Sequence, residues 1–236
     1  CAMSPARIVC MRHGQTDHNV ARRFQGMSDV PLNEYGREQA RRAAGVLAQR
    51  VTSAPAGVGI SAAATYSVAR VVVASSPLGR AAETAQIVAA ALRQRGTTVD
   101  GVHADKRFIE RSYGRFEGAT IEQIRSLMPV FFDQWSATGE SAGAGIEPSG
   151  EVGERFAAGV ADVSQGMDEG DVLIVVAHGS AISRGLTTLL GLDAGTFRGL
   201  RGLDNCHWSE LVPDRKHGGW QLAAHNVGWS EQAIGA

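Results

Sequence analysis

Three short apolar runs punctuate this chain: Ile8-Val9-Cys10, Val71-Val72-Val73-Ala74 and Val172-Leu173-Ile174-Val175-Val176-Ala177. Such runs, rich in β-branched residues and too short for helices, predict buried strands over 7–11, 69–74 and 171–177. Between them the apolar positions change to helical spacing. Ala40, Ala43, Ala44, Leu47 and Val51 predict a helix over 36–51, with Asn33, Glu34 and Gly36 at its start. Ala81, Ala85, Val88, Ala89 and Leu92 predict another, ended by Gly96, and Ile182, Leu186, Leu189 and Leu190 a third after His178-Gly179-Ser180. Strands alternating with helices predict an α/β fold, a three-layer α/β/α arrangement around a mostly parallel central sheet.

Elsewhere the pattern is weaker. It predicts a short strand over 99–103, a loop over 107–119, a helix over 120–127 and two late strands at 206–211 and 220–225, with Trp208, Trp220 and Trp229 filling core or flank. The small, polar, aperiodic stretch 52–67 reads as a surface insertion. Glycine-rich 139–150, GESAGAGIEPSG, lacks the strand-turn-helix setting of a phosphate loop and reads as a mobile loop or lid margin. No repeat is present. One domain over 1–236 is expected, with 1–6 as an N-terminal extension in which Met3 is a candidate start.

Composition narrows the partners more than the fold. The 236 residues are 44% hydrophobic, and 23 basic against 24 acidic side chains leave a formal charge of -1. No global field invites nucleic acid or an anionic membrane, so any affinity for phosphate must be local. No apolar run approaches the roughly 20 residues that span a bilayer, and no signal-peptide order opens the chain, so a soluble cytoplasmic protein is expected. Cys1, Cys10 and Cys206 are odd in number and have no metal-like spacing, so neither a disulfide nor a metal site is expected.

The candidate chemistry lies where strands end. Residues 11–17, MRHGQTD, follow the first apolar run, and there Arg12 offers a planar fork for phosphoryl oxygens, His13 a nucleophilic imidazole and Gly14 room for close backbone approach. His178 follows another strand in the same way. Arg80 stands in the first turn of a helix, a place that usually attracts acidic side chains, and makes sense if an anion arrives. Each has a bland alternative: Arg80 as a solvated residue, His178 as a core histidine, and Glu110 as the ion-pair partner of Arg107 or Arg111, with Glu117 a rival carboxylate. His18, His103, His207, His217 and His225 carry no comparable context and read as structural or solvated.

Taken in order, RHGQTDHN at 12–19, RFQGMSDVPLNEYGREQA at 23–40, SSPLGRAAETA at 75–85, ERSYGRFEG at 110–118 and AHGS at 177–180 resemble the histidine phosphatase superfamily, which includes cofactor-dependent phosphoglycerate mutases and fructose-2,6-bisphosphatases. The resemblance implies a phosphoglycerate mutase-like fold. It implies that His13 becomes a phosphohistidine, that Arg12, Arg80 and His178 grip the phosphoryl oxygens, and that Glu110 is the general acid. It places Asn19, Gln25 and Gly26 against the phosphate or the rest of the substrate, with Tyr113 and Gly179 beside them, and it suggests a homodimer. Phosphoryl transfer is mainly positioning and charge stabilisation, which two guanidinium groups and an imidazolium can supply without a metal. His13 must be neutral to attack whereas His178 serves best as a cation, so their pKa values are expected to diverge.

The resemblance covers both phosphatases and mutases. Mutases carry further basic residues after the EG turn, whereas 119–150 here holds one, Arg125. Hydrolysis of a small phosphorylated metabolite is therefore the favoured reading, needing no cofactor. A mutase would need 2,3-bisphosphoglycerate. A non-catalytic phosphate-binding module is the third reading. LDNCHWSEL at 203–211 and WQLAAHNVGWSEQ at 220–232 add a narrower resemblance to phosphatases of the glucosyl-3-phosphoglycerate phosphatase type.

Overall fold

A computed structural model describes residues 5–52 and 68–229. Its six strands, β1 (Arg7–Arg12), β2 (Val71–Ser75), β3 (Val99–Ala104), β4 (Val172–Ala177), β5 (Trp208–Pro213) and β6 (Trp220–Val227), form one sheet in the order β3-β2-β4-β1-β5-β6. The first four are parallel, and β5 and β6 close the edge antiparallel. Every residue of β2 and β4 is buried. This is why their sequences are continuous rather than alternating: both faces are covered.

Alternate strand residues enter opposite layers. Val9, Met11, Val73, Ile174 and Val176 meet Ala40, Ala44 and Leu47 of helix α2 (Glu34–Val51) and Ala81, Ala85 and Val88 of α3 (Gly79–Gln94). Ile8, Cys10, Ala74, Leu173 and Val175 meet Val152, Phe156 and Val160 of α6 (Ser149–Val163) and Ile182 and Leu186 of α7 (Gly179–Leu189). The three predicted layers are therefore present. A short α1 (Asp17–Val20), α4 (Ile121–Leu127) and α5 (Pro129–Thr138) complete the helices. Trp208 is buried and donates to Glu210, itself paired with Arg7 and Arg50, whereas Trp220 and Trp229 are half-buried. The insertion read over 52–67 falls almost wholly outside the described residues, beyond Thr52, the C-cap of α2.

Three helices, α1, α5 and α6, escaped the sequence pattern, and α6 shows why. Its glycines look like helix breakers in sequence, yet a Cβ on Gly153 would overlap Thr188 of α7 and one on Gly159 would crowd the Phe108 ring. From the other side, a Cβ on Gly185 of α7 would overlap Phe156. These glycines let two helices touch, which local propensity cannot reveal.

Segment 139–150 is also not the open margin expected from its glycines. Gly139 caps α5 in the left-handed region, and Ala144 and Ile146 are buried with Phe116 and Ile124. Arg111, 1% exposed, holds the segment by donating to the carbonyls of Gly139 (2.9 Å) and Glu147 (2.6 Å) and pairing with Glu140 (2.5 Å). Among the described residues no helix is long and apolar enough to cross a membrane.

Candidate active site

The parallel register sets Arg12 opposite Ala177, so the next residues, His13 and His178, leave neighbouring strands side by side. Their ring centroids are 5.1 Å apart at 63°. Gly14 then turns the chain beneath the start of α2, where a Cβ would overlap the Gly36 carbonyl. Its close approach is to protein backbone, not, as the sequence suggested, to an anion.

His13 Nδ1 lies 2.7 Å from the Gly14 carbonyl, which can only accept, so the proton sits on Nδ1 and Nε2 presents its lone pair. Arg80, on the first turn of α3 and fully buried, donates Nε to that Nε2 at 3.3 Å. Its Nη1 and Nη2 donate to the carbonyls of Ser28 (2.7 Å) and Gly26 (3.0 Å). The start of α3 is itself covered by Asp29, which accepts from the Gly79 amide at 2.7 Å. Arg12 donates Nη1 to the Leu203 carbonyl at 2.7 Å, while its buried Nε has no partner, and neither has either ring nitrogen of His178. Buried polar atoms without partners are rare, and three converge here.

Glu110 reaches the site from the loop before α4. Its Oε1 accepts from the Arg111 (2.8 Å) and Ala181 (2.9 Å) amides and its Oε2 from the Ser180 amide (3.2 Å). The carboxylate thus covers the N-terminus of α7, where negative charge is favoured. Arg155 of α6 fixes this loop by donating to the carbonyls of Arg107 (2.7 Å), Ile109 (2.8 Å) and Glu110 (3.2 Å). Rival Glu117 instead accepts from the Met27 (3.2 Å) and Tyr113 (3.0 Å) amides, bracing the loop around Gly26.

A cleft of about 240 Å³ opens over these groups, walled by Arg12, His13, Asn19, Gln25, Gly26, Arg80, Glu110 and Tyr113. Asn19 takes up the amide and hydroxyl of Thr16 and the Asn205 side chain, and Gln25 accepts from Thr16 at 2.9 Å. Gly26 adopts φ +51° and faces Glu117 too closely for a side chain. His178 and Gly179 are not in the wall: His178 lies buried beside His13, and Gly179 packs against Arg12. Sequence reading missed Arg22, Arg23, Phe24 and Ile121 in the wall, and Arg155 behind it. Only Arg23 and Phe24 had a signal, inside RFQG; the others have no local pattern.

Burial, then the positive charges of Arg12 and Arg80, pushes His13 well below the ordinary histidine range. His178 moves the same way through burial and then His13, Arg80 and Arg12. The expected divergence between the two is therefore not seen, because both rings share one buried cationic surrounding. Burial also lowers Arg12 and Arg80, opposed by Glu110, and with Glu110 it raises Tyr113 to about 12.

This has a consequence for stability. Unfolded histidines titrate near pH ~6.5, so below it the unfolded chain holds protons that the folded chain refuses. The contribution is full above that value and is lost as pH falls toward the depressed folded values, at about 1.4 kcal/mol per pH unit for each ring. Urea unfolding in phosphate-free buffer from about pH 7.5 down to about pH 5.5 is expected to show this slope, shallower by about half in His178→Gln. A flat profile in the wild-type protein would contradict the buried neutral pair.

An α/β/α sheet whose two central strands end in paired histidines, flanked by two arginines and a carboxylate, is an arrangement that can hold and transfer a phosphoryl group. The model of the histidine phosphatase superfamily (branch 1) matches residues 8–228, and the chain belongs to that family. It is 33% identical over 216 residues to a glucosyl-3-phosphoglycerate phosphatase of Mycobacterium tuberculosis, covering 89% of this chain and 86% of the relative. It is 35% identical over 234 residues to a probable phosphoglycerate mutase of Yersinia pestis, covering 97% and 92%. A solved mycobacterial glucosyl-3-phosphoglycerate phosphatase in complex with VO3 superposes with a TM-score of 0.73 at 30% identity, covering 94% of this chain and 99% of that one. The chain is thus a phosphomonoesterase of a family that works through phosphohistidine.

Proposed function

We propose that His13 is the phosphoryl acceptor in the hydrolysis of a small phosphorylated metabolite that carries a further acidic group. The observation that carries the assignment is the unprotonated Nε2 of His13 facing Arg80, beside the unspent donors of Arg12 and His178. Nε2 attacks phosphorus, the ester P–O bond breaks, and the equatorial oxygens lie against Arg12, Arg80 and His178. A phosphate dianion offsets the two guanidinium charges that depress His178, so substrate binding favours the imidazolium that donates to it.

Glu110 gives its proton to the leaving alkoxide and then takes one from the water that cleaves the P–N bond. A carboxylate has about four lone-pair sites. Both of those on Oε1 are taken by amides and one remains on Oε2, the oxygen through which a proton can be passed to or from the reacting oxygen. Ordered this way the cycle is ping-pong, with phosphate leaving last. Asn19, Gln25, Gly26 and Tyr113 complete the substrate surround, and Gly179 acts through Arg12, against which it packs.

Hydrolysis is favoured over mutase chemistry because Arg125, the one basic residue of 119–150, stacks over the Phe132 ring at 4.9 Å rather than entering the cleft. The further acidic group is supported by Arg22, which lines the cleft and whose side chain has no hydrogen-bond partner among the described residues. Phosphate release is to be compared over 3-phosphoglycerate, glucosyl-3-phosphoglycerate, uncharged sugar phosphates and nucleotides, beside a mutase assay with 2,3-bisphosphoglycerate. Acidic phosphoglycerate-type esters are expected to be preferred about tenfold or more, from one added charge-assisted contact. Isomerisation faster than hydrolysis would reverse the ranking, and equal use of uncharged sugar phosphates would remove the acidic group.

A further inference from the structure

Behind Tyr113, outside the cleft, three arginines crowd together with one carboxylate. Arg184 of α7 is half-buried, and its guanidinium has no hydrogen bond or ion pair among the described residues; its Nε is closed off from solvent without a partner. Arg198 meets it over the α-carbon of Gly139: a Cβ there would lie 3.5 Å from Arg198 Nη2 and 3.8 Å from Arg184 Nη2. Arg111 contributes the third guanidinium, donating to the Gly139 carbonyl. The one carboxylate, Glu140, is already paired with Arg111 at 2.5 Å. Arg198 spends its donors on carbonyls, those of Thr138 (2.5 Å), Gly195 (2.7 Å) and Phe197 (3.0 Å) among them. Two cationic ends therefore lie close together, and the carboxylate that acts on Arg184, Glu140, is already paired with Arg111.

Like charges held this close repel, and partial burial of Arg184 removes some of the water that would screen it, although Arg198 is exposed. Burial, Arg198 and Arg111 accordingly depress Arg184, opposed by Tyr113 and Glu140. We propose that the Arg184–Arg198 pair is a second anion site, taking a phosphate-class dianion. Tetrahedral oxygens can accept from the unspent guanidinium of Arg184 on α7, while Arg198, whose Nη donors are held by carbonyls, adds its positive charge from the segment after it. The bound dianion then cross-links α7, whose Ser180 and Ala181 amides hold Glu110, to the end of α5 and to Arg111, the residue after Glu110.

Equilibrium dialysis of the full chain with labelled inorganic phosphate tests this. Two phosphates per chain are expected, one in the cleft and one at the pair. Arg184→Gln is expected to weaken the second about tenfold, and Arg184→Gln with Arg198→Gln to abolish it, leaving the cleft phosphate and turnover unchanged. Arg80→Gln, conversely, is expected to weaken the cleft phosphate and leave the second. Methylphosphonate run in parallel identifies the source: binding of phosphate alone marks a site for the free ion, binding of both a site for a phosphoryl group carried on carbon. One phosphate per wild-type chain, or two in the double variant, would overturn the proposal.

Discussion

His13→Ala is expected to lose roughly 10⁴-fold or more in phosphatase turnover, because it removes the atom that accepts the phosphoryl group and no neighbouring group can take its place. His178, 5.1 Å away ring to ring, is committed in this mechanism to donating to the phosphoryl oxygens. Glu110 is engaged with three amides. A quench experiment with labelled substrate provides the second readout: the wild-type protein is expected to carry an acid-labile phosphoryl group during turnover and the variant none. A variant that still turned over at wild-type rates, with unchanged thermal unfolding, would move the nucleophile elsewhere.

Glu110→Gln is expected to lose about 10²- to 10⁴-fold on alkyl phosphates, the range ascribed to general acid–base catalysis. The loss should depend on the leaving group. Nitrophenolate needs little protonation, so phosphoenzyme formation from p-nitrophenyl phosphate should be much less affected than from an alkyl ester, while breakdown of the phosphoenzyme suffers for both. The substitution also replaces one accepting oxygen by an amide NH₂, so one of the Arg111, Ser180 or Ala181 amides loses its partner, at about 1–3 kcal/mol. Equal losses on both esters at the first step would show that Glu110 acts by holding α7 in place instead of by transferring a proton.

The parts of this molecule visible in its sequence are those where side-chain chemistry and local geometry coincide. β1, β2 and β4 are buried on both faces, so their central residues form continuous apolar runs, and the polar residues that follow those runs mark the sheet's carboxyl edge. His13 and His178 stand there, and Arg80 stands at a helix start where its charge is out of place. What stayed hidden depends on partners distant in sequence. The glycines of α6 make sense only against Thr188 and Phe108, and Arg111 holds down 139–150 through carbonyls that no pattern advertises. Arg22 enters the cleft wall with φ 50°, a backbone choice unfavourable for arginine. The joint depression of both histidines likewise follows from shared burial, which composition cannot express.

The strand order also governs how the protein comes into being. β1 leaves the ribosome before the other five strands described, yet both of its neighbours in the sheet, β4 and β5, are encoded beyond residue 170. β2 can pair with β3 early, but it too waits for β4 on its other side. A nascent chain that stops short of β4 therefore holds an unpaired apolar strand and two separate halves of a sheet. Folding of this kind is delayed by long-range closure and exposes sticky strand edges meanwhile. The strand that brings His178 to His13 is thus also the one that completes the parallel part of the sheet, so the paired histidines and the joining of its two parts arrive together.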